Sequence, residues 1–385
     1  MNSRAHTRAP LLERVGIGYF RRLSSIVAKP DQEDAIHFLN PRERAALRAV
    51  VRGAIVRACV AGALSAMVSA ATEILARPLL GPEPDLATTT ELLRFWALLG
   101  GATLLASIIE IGFLYWDGLR SVHRLAHVAG LDLFPEDNGD EHAAVAGAMA
   151  RAALELPNST RALFGIDPMR EASRAFVVFA SLAYKAKISA SSFALKMLVR
   201  RVLGRALVRA WLPLIGVPVT AIWNGIVAWL VLREARIRAM GPSAAKEMVG
   251  IVFADSPVLS VNGRAAVKRA VAAAIVRTRD LHPNLIALWS EVRAHAGEDE
   301  THGIDDALLF VETLRGLPSD ERAIVLRVLA IASILDGRIT SAERRLLSQS
   351  YAACDRAAPL DRVAQLRRAF LDGDTIPPRL IRELA

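Results

Sequence analysis

Three places in the chain set side chains at a spacing that could do chemistry. In ASILDGRITSAERRLL, residues 332–347, an Asp-Gly pair is followed by Ile339 and then by Glu343, six positions after Gly337. With Asp336 as the fifth position of a twelve-residue calcium loop, Gly337 and Glu343 fall on the sixth and twelfth. The first and third positions fall on Ala332 and Ile334, whose side chains carry no oxygen. A divalent cation there would rest on Asp336 and Glu343, with half of its ligands missing. The same letters also spell a helix start: Thr340 caps the next helix, Glu343 reaches back to the Thr340 N–H, and Gly337 ends the preceding helix. The second place is Glu110, the one charge in the apolar run 95–116. An ionisable group inside a membrane segment is costly and needs a partner. The third is His123 and His127, at the i, i+4 spacing of two metal ligands on one helix face. Arg124 follows His123 and no third ligand stands at a telling distance, so solvated histidines near a membrane surface are the simpler expectation.

Nucleotide and hydrolase signatures are missing. The sequence contains no G-x-x-x-x-G-K-[ST], no H-E-x-x-H and no G-x-S-x-G, and the pair Gly16 and Gly18 lacks the third glycine and the preceding strand of a dinucleotide fold. The two cysteines, Cys59 and Cys354, lie far apart in unlike surroundings, so neither a disulfide framework nor a zinc site is expected. A non-enzymatic protein without a cofactor is the expectation, a divalent cation at Asp336 and Glu343 aside.

The elements that must position these residues are helices. Of 385 residues, 53% are hydrophobic and 23% charged, and the mean hydropathy is +0.31. Apolar and charged residues are therefore segregated along the chain. Period-2 alternation is scarce, and Ala, Leu, Val and Arg dominate, so the predicted class is all-α. A net charge of +9 calls for an anionic partner. The basic residues cluster beside apolar runs without interleaved aromatics, which favours anionic lipid headgroups over nucleic acid.

Residues 11–29 place Leu12, Val15, Tyr19, Phe20, Leu23, Ile26 and Val27 at helical spacing, with Arg14, Arg21, Arg22 and Lys29 elsewhere on the wheel. This predicts an amphipathic helix ended by Pro30, lying either on a lipid surface or on a protein core. Two segments then follow, about 53–76 and 95–116, each long enough to cross roughly 30 Å of hydrocarbon. Phe95 and Trp96 at one end of the second segment, and Tyr115 and Trp116 at the other, sit where interfacial belts are expected. Arginines flank the outer ends and the connecting loop is acidic, so both flanks are predicted cytosolic. In such an antiparallel hairpin Arg57 comes level with Glu110, and the two are expected to form an intramembrane ion pair.

Residues 210–232 carry no charge, yet arginines stand on both flanks. Pro213, Gly216 and Pro218 predict a break, hence a half-inserted or cytosolic helical hairpin; a crossing balanced by a second span near 175–195 and a buried core helix pair are the other readings. After Pro242 the long apolar runs stop, and five or six amphipathic helices predict a soluble bundle. The resulting division is a basic amphipathic region 1–52, a transmembrane helical hairpin 53–117, a helical middle region 118–241 and a C-terminal α-helical bundle 242–385.

Two stretches carry family resemblances. LFGIDPMREASRAF, with Phe164, Gly165, Asp167 and Pro168, together with the run 191–241, with Leu212, Pro213, Gly216, Asn224, Arg233 and Arg236, resembles the EcsC-like family over about 140–241. Ala332, Asp336, Gly337, Ile339 and Glu343 resemble the second half of a TerB-like helical domain, over about 316–356. The resemblances imply a helical, membrane-associated bacterial protein that senses stress or acts as a scaffold with protein partners, without catalysis; together with the arginine flanks, the expectation is a multi-pass inner-membrane protein with both termini cytosolic. The alternative is a component of a transport or channel system that uses Glu110 and the segment 210–232.

Overall fold

The structure is a computed structural model that describes residues 11–26, 36–80, 88–134, 140–156, 164–168, 170, 212–254, 258–297 and 303–385. Among them every element is a helix: α1 (Leu11–Ser24), α2 (Pro41–Ala76), α3 (Thr89–Val128), α4 (Asp140–Ala153), α5 (Leu212–Ala254), α6 (Val261–Thr278), α7 (Pro283–Ala296), α8 (Ala307–Arg315), α9 (Ser319–Ala332), α10 (Ser341–Ala352), α11 (Leu360–Asp372) and α12 (Pro378–Arg382). The loop between the first two long helices is described only at its ends. The second-span candidate near 175–195, the arginines at 200–209 and most of the acidic tract 135–142 lie outside the described residues.

Among the described residues, three helices are long and apolar enough to cross a membrane. Local sequence starts two of them. Asn40 Oδ1 accepts from the Glu43 N–H at 2.9 Å while Glu43 Oε2 accepts from the Asn40 N–H at 2.8 Å, with Pro41 in the first helical position. Thr88 and Glu91 repeat the reciprocal arrangement before α3. At 36 and 40 residues both helices are longer than the ~20 residues that span a bilayer.

The chain divides into two compact units that are not consecutive segments. One comprises residues 48–122 and 173–233, the other 1–47, 123–172 and 234–385. In the first, large apolar side chains point outward: Val56, Leu64, Leu104, Ile109 and Ile222 are all more than half exposed, and only 11% of the apolar window of α3 is buried. An inside-out surface of this kind is what hydrocarbon requires. Small residues bring α2 and α5 together. A Cβ on Gly62 would lie 2.6 Å from Asn224 Nδ2, and one on Gly225 would lie 2.6 Å from Cys59 Sγ, the close backbone approach that membrane helices use.

The break predicted at Pro213, Gly216 and Pro218 is absent, because α5 runs through all three without interruption. Pro213 is the second described residue of α5. Pro218 lies deeper, and Thr220 Oγ1 donates to the Gly216 carbonyl at 2.8 Å, the kind of side-chain bond that lets an apolar helix tolerate proline. Gly241 and Pro242, where the bundle was expected to begin, also lie inside α5.

The second unit has a closed core. Nearly every residue of α6 from Ala266 to Val276 is buried, and α7, α8, α9 and α10 pack around it. A helix rich in alanine and valine on all sides is one that lies at the centre of a bundle. On the same unit α1 packs against α4, with Arg151 Nη2 2.8 Å from Glu13 Oε2. Phe20 is fully buried while Leu11, Leu12 and Val15 face outward.

Candidate functional site

The carboxylate in the apolar unit does not meet the arginine expected for it. Arg57 Nε donates to Asp117 Oδ1 at 2.7 Å and its Nη2 donates to Ser121 Oγ at 3.0 Å. Glu110 instead accepts on Oε1 from Asn224 Nδ2 of α5 at 2.7 Å, and Oε2 is buried without a hydrogen-bond partner. The Arg57–Glu110 pair is thus corrected to Arg57–Asp117. Asp117 lies two turns beyond Glu110 on the same face of α3, because seven residues advance a helix by nearly two full rotations. It stands nearer the polar end of the helix, where an ion pair costs less to desolvate.

Around Glu110 the apolar unit holds a short polar row. Thr220 and Asn224 are one turn apart on α5, and both are buried. Gly62 of α2 sits against them, with the Thr220 carbonyl 2.9 Å from where its Cβ would be. Ser65, three residues further along α2, is buried with its hydroxyl unpartnered. The arrangement holds one carboxyl group among amides and hydroxyls with one oxygen open. Cys59 of α2 lies close by, against Gly225.

The acidic turn lies in the other unit. Thr340 Oγ1 accepts from the Glu343 N–H at 3.2 Å, and Glu343 Oε2 accepts from the Thr340 N–H at 2.7 Å, so a capping box opens α10. Gly337 has φ +76°, and a Cβ there would lie 2.5 Å from Ile237 Cδ1. Both conformation and space therefore demand glycine. Asp336 Oδ1 accepts from the Arg338 N–H at 2.8 Å. Glu343 is fully buried, and its Oε1 has no hydrogen-bond partner. Burial, assisted by the Asp336 charge, pushes the Glu343 carboxyl up to about 7. Burial also raises Asp336. Ala332 and Ile334 are fully buried in the core. Among the described residues no group of three or more His, Cys, Asp or Glu side chains gathers to hold a metal. Asp336 and Glu343 are thus two carboxylates whose other contacts are local backbone amides.

Of the predicted histidine pair, His123 is buried in packing. His123 Nε2 lies 2.9 Å from Ser24 Oγ, and the ring stacks at a tilt on Phe20. His37, invisible in the sequence, is buried between Ser243 Oγ at 2.9 Å and Glu247 Oε2 at 2.6 Å. His282 caps α7 by accepting from the Asn284 N–H through Nδ1, and its Nε2 faces Glu234 Oε1 at 3.1 Å. A hydrogen on Nε2 satisfies both contacts.

Sequence reasoning also missed Asn284. It is fully buried, and its Nδ2 donates to the carbonyls of Ile237 at 2.9 Å and Leu335 at 2.6 Å. Gly241 lies directly against its side chain and has no room for a Cβ. Asn284 thereby ties α5, α7 and the turn before Asp336 together. The signal was faint, a lone Asn after His-Pro, since nothing local says that its amide faces inward.

Compared with known proteins, the chain matches no family model, no curated protein and no solved structure.

Proposed function

We propose that this chain is a non-enzymatic scaffold or stress-sensing protein of a bacterial inner membrane, with EcsC-like and TerB-like parts. The observation that carries this reading is the contrast between the two units. Among the described residues, apolar side chains face outward in the unit that holds α2, α3 and the first half of α5, and inward around α6 in the other. Membrane anchoring plus a displayed helical bundle is the simplest use of such a division. Anionic lipid headgroups and an unidentified protein are the partners that fit.

A topology follows from the positive-inside rule: Arg42, Arg44, Arg48 and Arg52 precede or open the first apolar run and Arg120 and Arg124 follow the second, so both flanks, and with them both termini, face the cytosol. Reporter fusions at residues 84 and 258 and at the C-terminus, with carbonate washing of membranes, test this. An external reporter at 84, with internal ones at 258 and the C-terminus, is expected. Carbonate extraction, or reporters on opposite sides at 84 and 258 reversed from this order, would refute it.

A transport or channel role is a second reading, favoured by Glu110 with its open oxygen beside Asn224. Proton or sodium flux into liposomes that disappears in Glu110→Gln would support transport. Intact membrane insertion with no flux would leave the scaffold.

A further inference from the structure

We propose that the cleft between the C-terminal end of α6 and the first turns of α10 binds a phosphoryl anion. A cavity of about 270 Å3 there is lined by Arg277, Arg279, Ala342, Arg345 and Gln349. Three guanidiniums thus share one small concavity. Arginine matches phosphoryl oxygens with pairs of parallel N–H donors, which a point-charge ammonium does not. The volume lies just under the ~300–1,000 Å3 of sites for drug-sized ligands, the scale of a phosphate or diphosphate group with its remaining waters.

Two local features place these residues. Arg277 ends α6 and Arg279 is its C-cap, in the left-handed region at φ +56°. Ala342, Arg345 and Gln349 stand at i, i+3 and i+7 on α10, a single helix face. Ala342 is the second residue of this 12-residue helix, so its first-turn amides add a positive end to the same concavity.

The arginines exceed what helix termini need. The C-terminal end of α6 carries about −0.5 charge and the N-terminal end of α10 about +0.5, and the two offset each other. Glu343, though next to Ala342, is fully buried and turned back on the Thr340 N–H, so its carboxyl belongs to the core. The lining of the concavity holds three arginines and the neutral Gln349 and, among the described residues, no carboxylate. This inference goes beyond the scaffold reading and holds whether or not that reading survives.

The test is calorimetric titration of the full chain in detergent with pyrophosphate, inorganic phosphate and glycerol phosphate, the last standing for a lipid headgroup. Saturable binding is expected, weakened about 10-fold by Arg345→Gln and abolished in the Arg279→Gln, Arg345→Gln double variant. Arg345 is exposed, and unchanged helical circular dichroism will verify that its variant folds. Arg368→Gln on α11 should bind as the parent does. Tightest binding of glycerol phosphate would assign a headgroup, and tightest binding of either inorganic anion a soluble ligand; both support the site. Absence of saturable binding to all three, or equal binding by the parent and the double variant, would overturn it.

Discussion

Asn224 donates a 2.7 Å hydrogen bond to Glu110, joining α5 to α3 at positions 114 residues apart. Each partner alone would be costly among apolar side chains, since neither an amide nor a carboxyl finds water there. Gly62 makes the junction sterically feasible, because any larger residue would occupy the space of the Asn224 amide.

Asn224→Leu should therefore loosen the apolar unit. Hydrogen bonds between membrane helices are worth roughly 0.6–1.7 kcal/mol in measured cycles, and Glu110 would be left with neither oxygen partnered. A double-mutant cycle with Glu110→Leu, which removes the acceptor, read by unfolding in mixed micelles, should give a coupling within that range. Additive losses would mean that the bond contributes nothing to stability.

Glu343 predicts a pH dependence of the bundle. Its folded carboxyl sits near 7, above the ~4.3 of an unfolded chain. The stabilisation is complete below the unfolded value and is lost as pH rises through the folded one, because the unfolded chain releases its proton first. The upward direction for Asp336 adds to the same trend. Chemical unfolding from pH 4.5 to 8 should show declining stability. Glu343→Gln, neutral and still an acceptor for the Thr340 N–H, should flatten that decline and gain roughly 2–3 kcal/mol at pH 8. An unchanged pH slope in the variant would contradict the assignment.

Thr340→Ala removes the acceptor for the Glu343 N–H while leaving Glu343 in place. A loss of about 1 kcal/mol is expected, measured by the denaturation midpoint of the second unit at fixed pH. No loss would mean that the cap geometry stores no stability.

Asn284 and Gly241 should behave as a lock. Asn284→Leu removes the side-chain donor from the Ile237 and Leu335 carbonyls; Ile237 keeps its intrahelical bond, and a buried polar group left unsatisfied costs about 1–3 kcal/mol. Gly241→Ala drives a methyl into the Asn284 amide and should be comparably harmful. Combined with Asn284→Ala, which vacates the space, Gly241→Ala should cost less than the two separate effects added. Strict additivity in thermal unfolding would show that the contact is not shared.

Much of the molecule is written locally. The capping boxes at Asn40, Thr88 and Thr340 are legible because an N-cap depends on residues three apart. The apolar helices are legible because length and hydropathy are sums over neighbours. The continuity of α5 was not, since a proline's cost depends on whether the freed carbonyl finds a substitute, here beside Thr220. The cleft arginines were visible only as charge at the end of one helix and on the face of another far along the chain.

By itself the sequence determined an all-helical chain, three apolar helices, and the turn at Gly337 and Thr340, all set by composition and by contacts within a few residues. Tertiary structure decided partners: Asn224 rather than Arg57 for Glu110, Asp117 for Arg57, Asn284 beneath Gly241, and three arginines around one cavity. The physical reason is rotational. Periodicity says which face of a helix is apolar, but only packing against another helix selects which polar group on that face meets which.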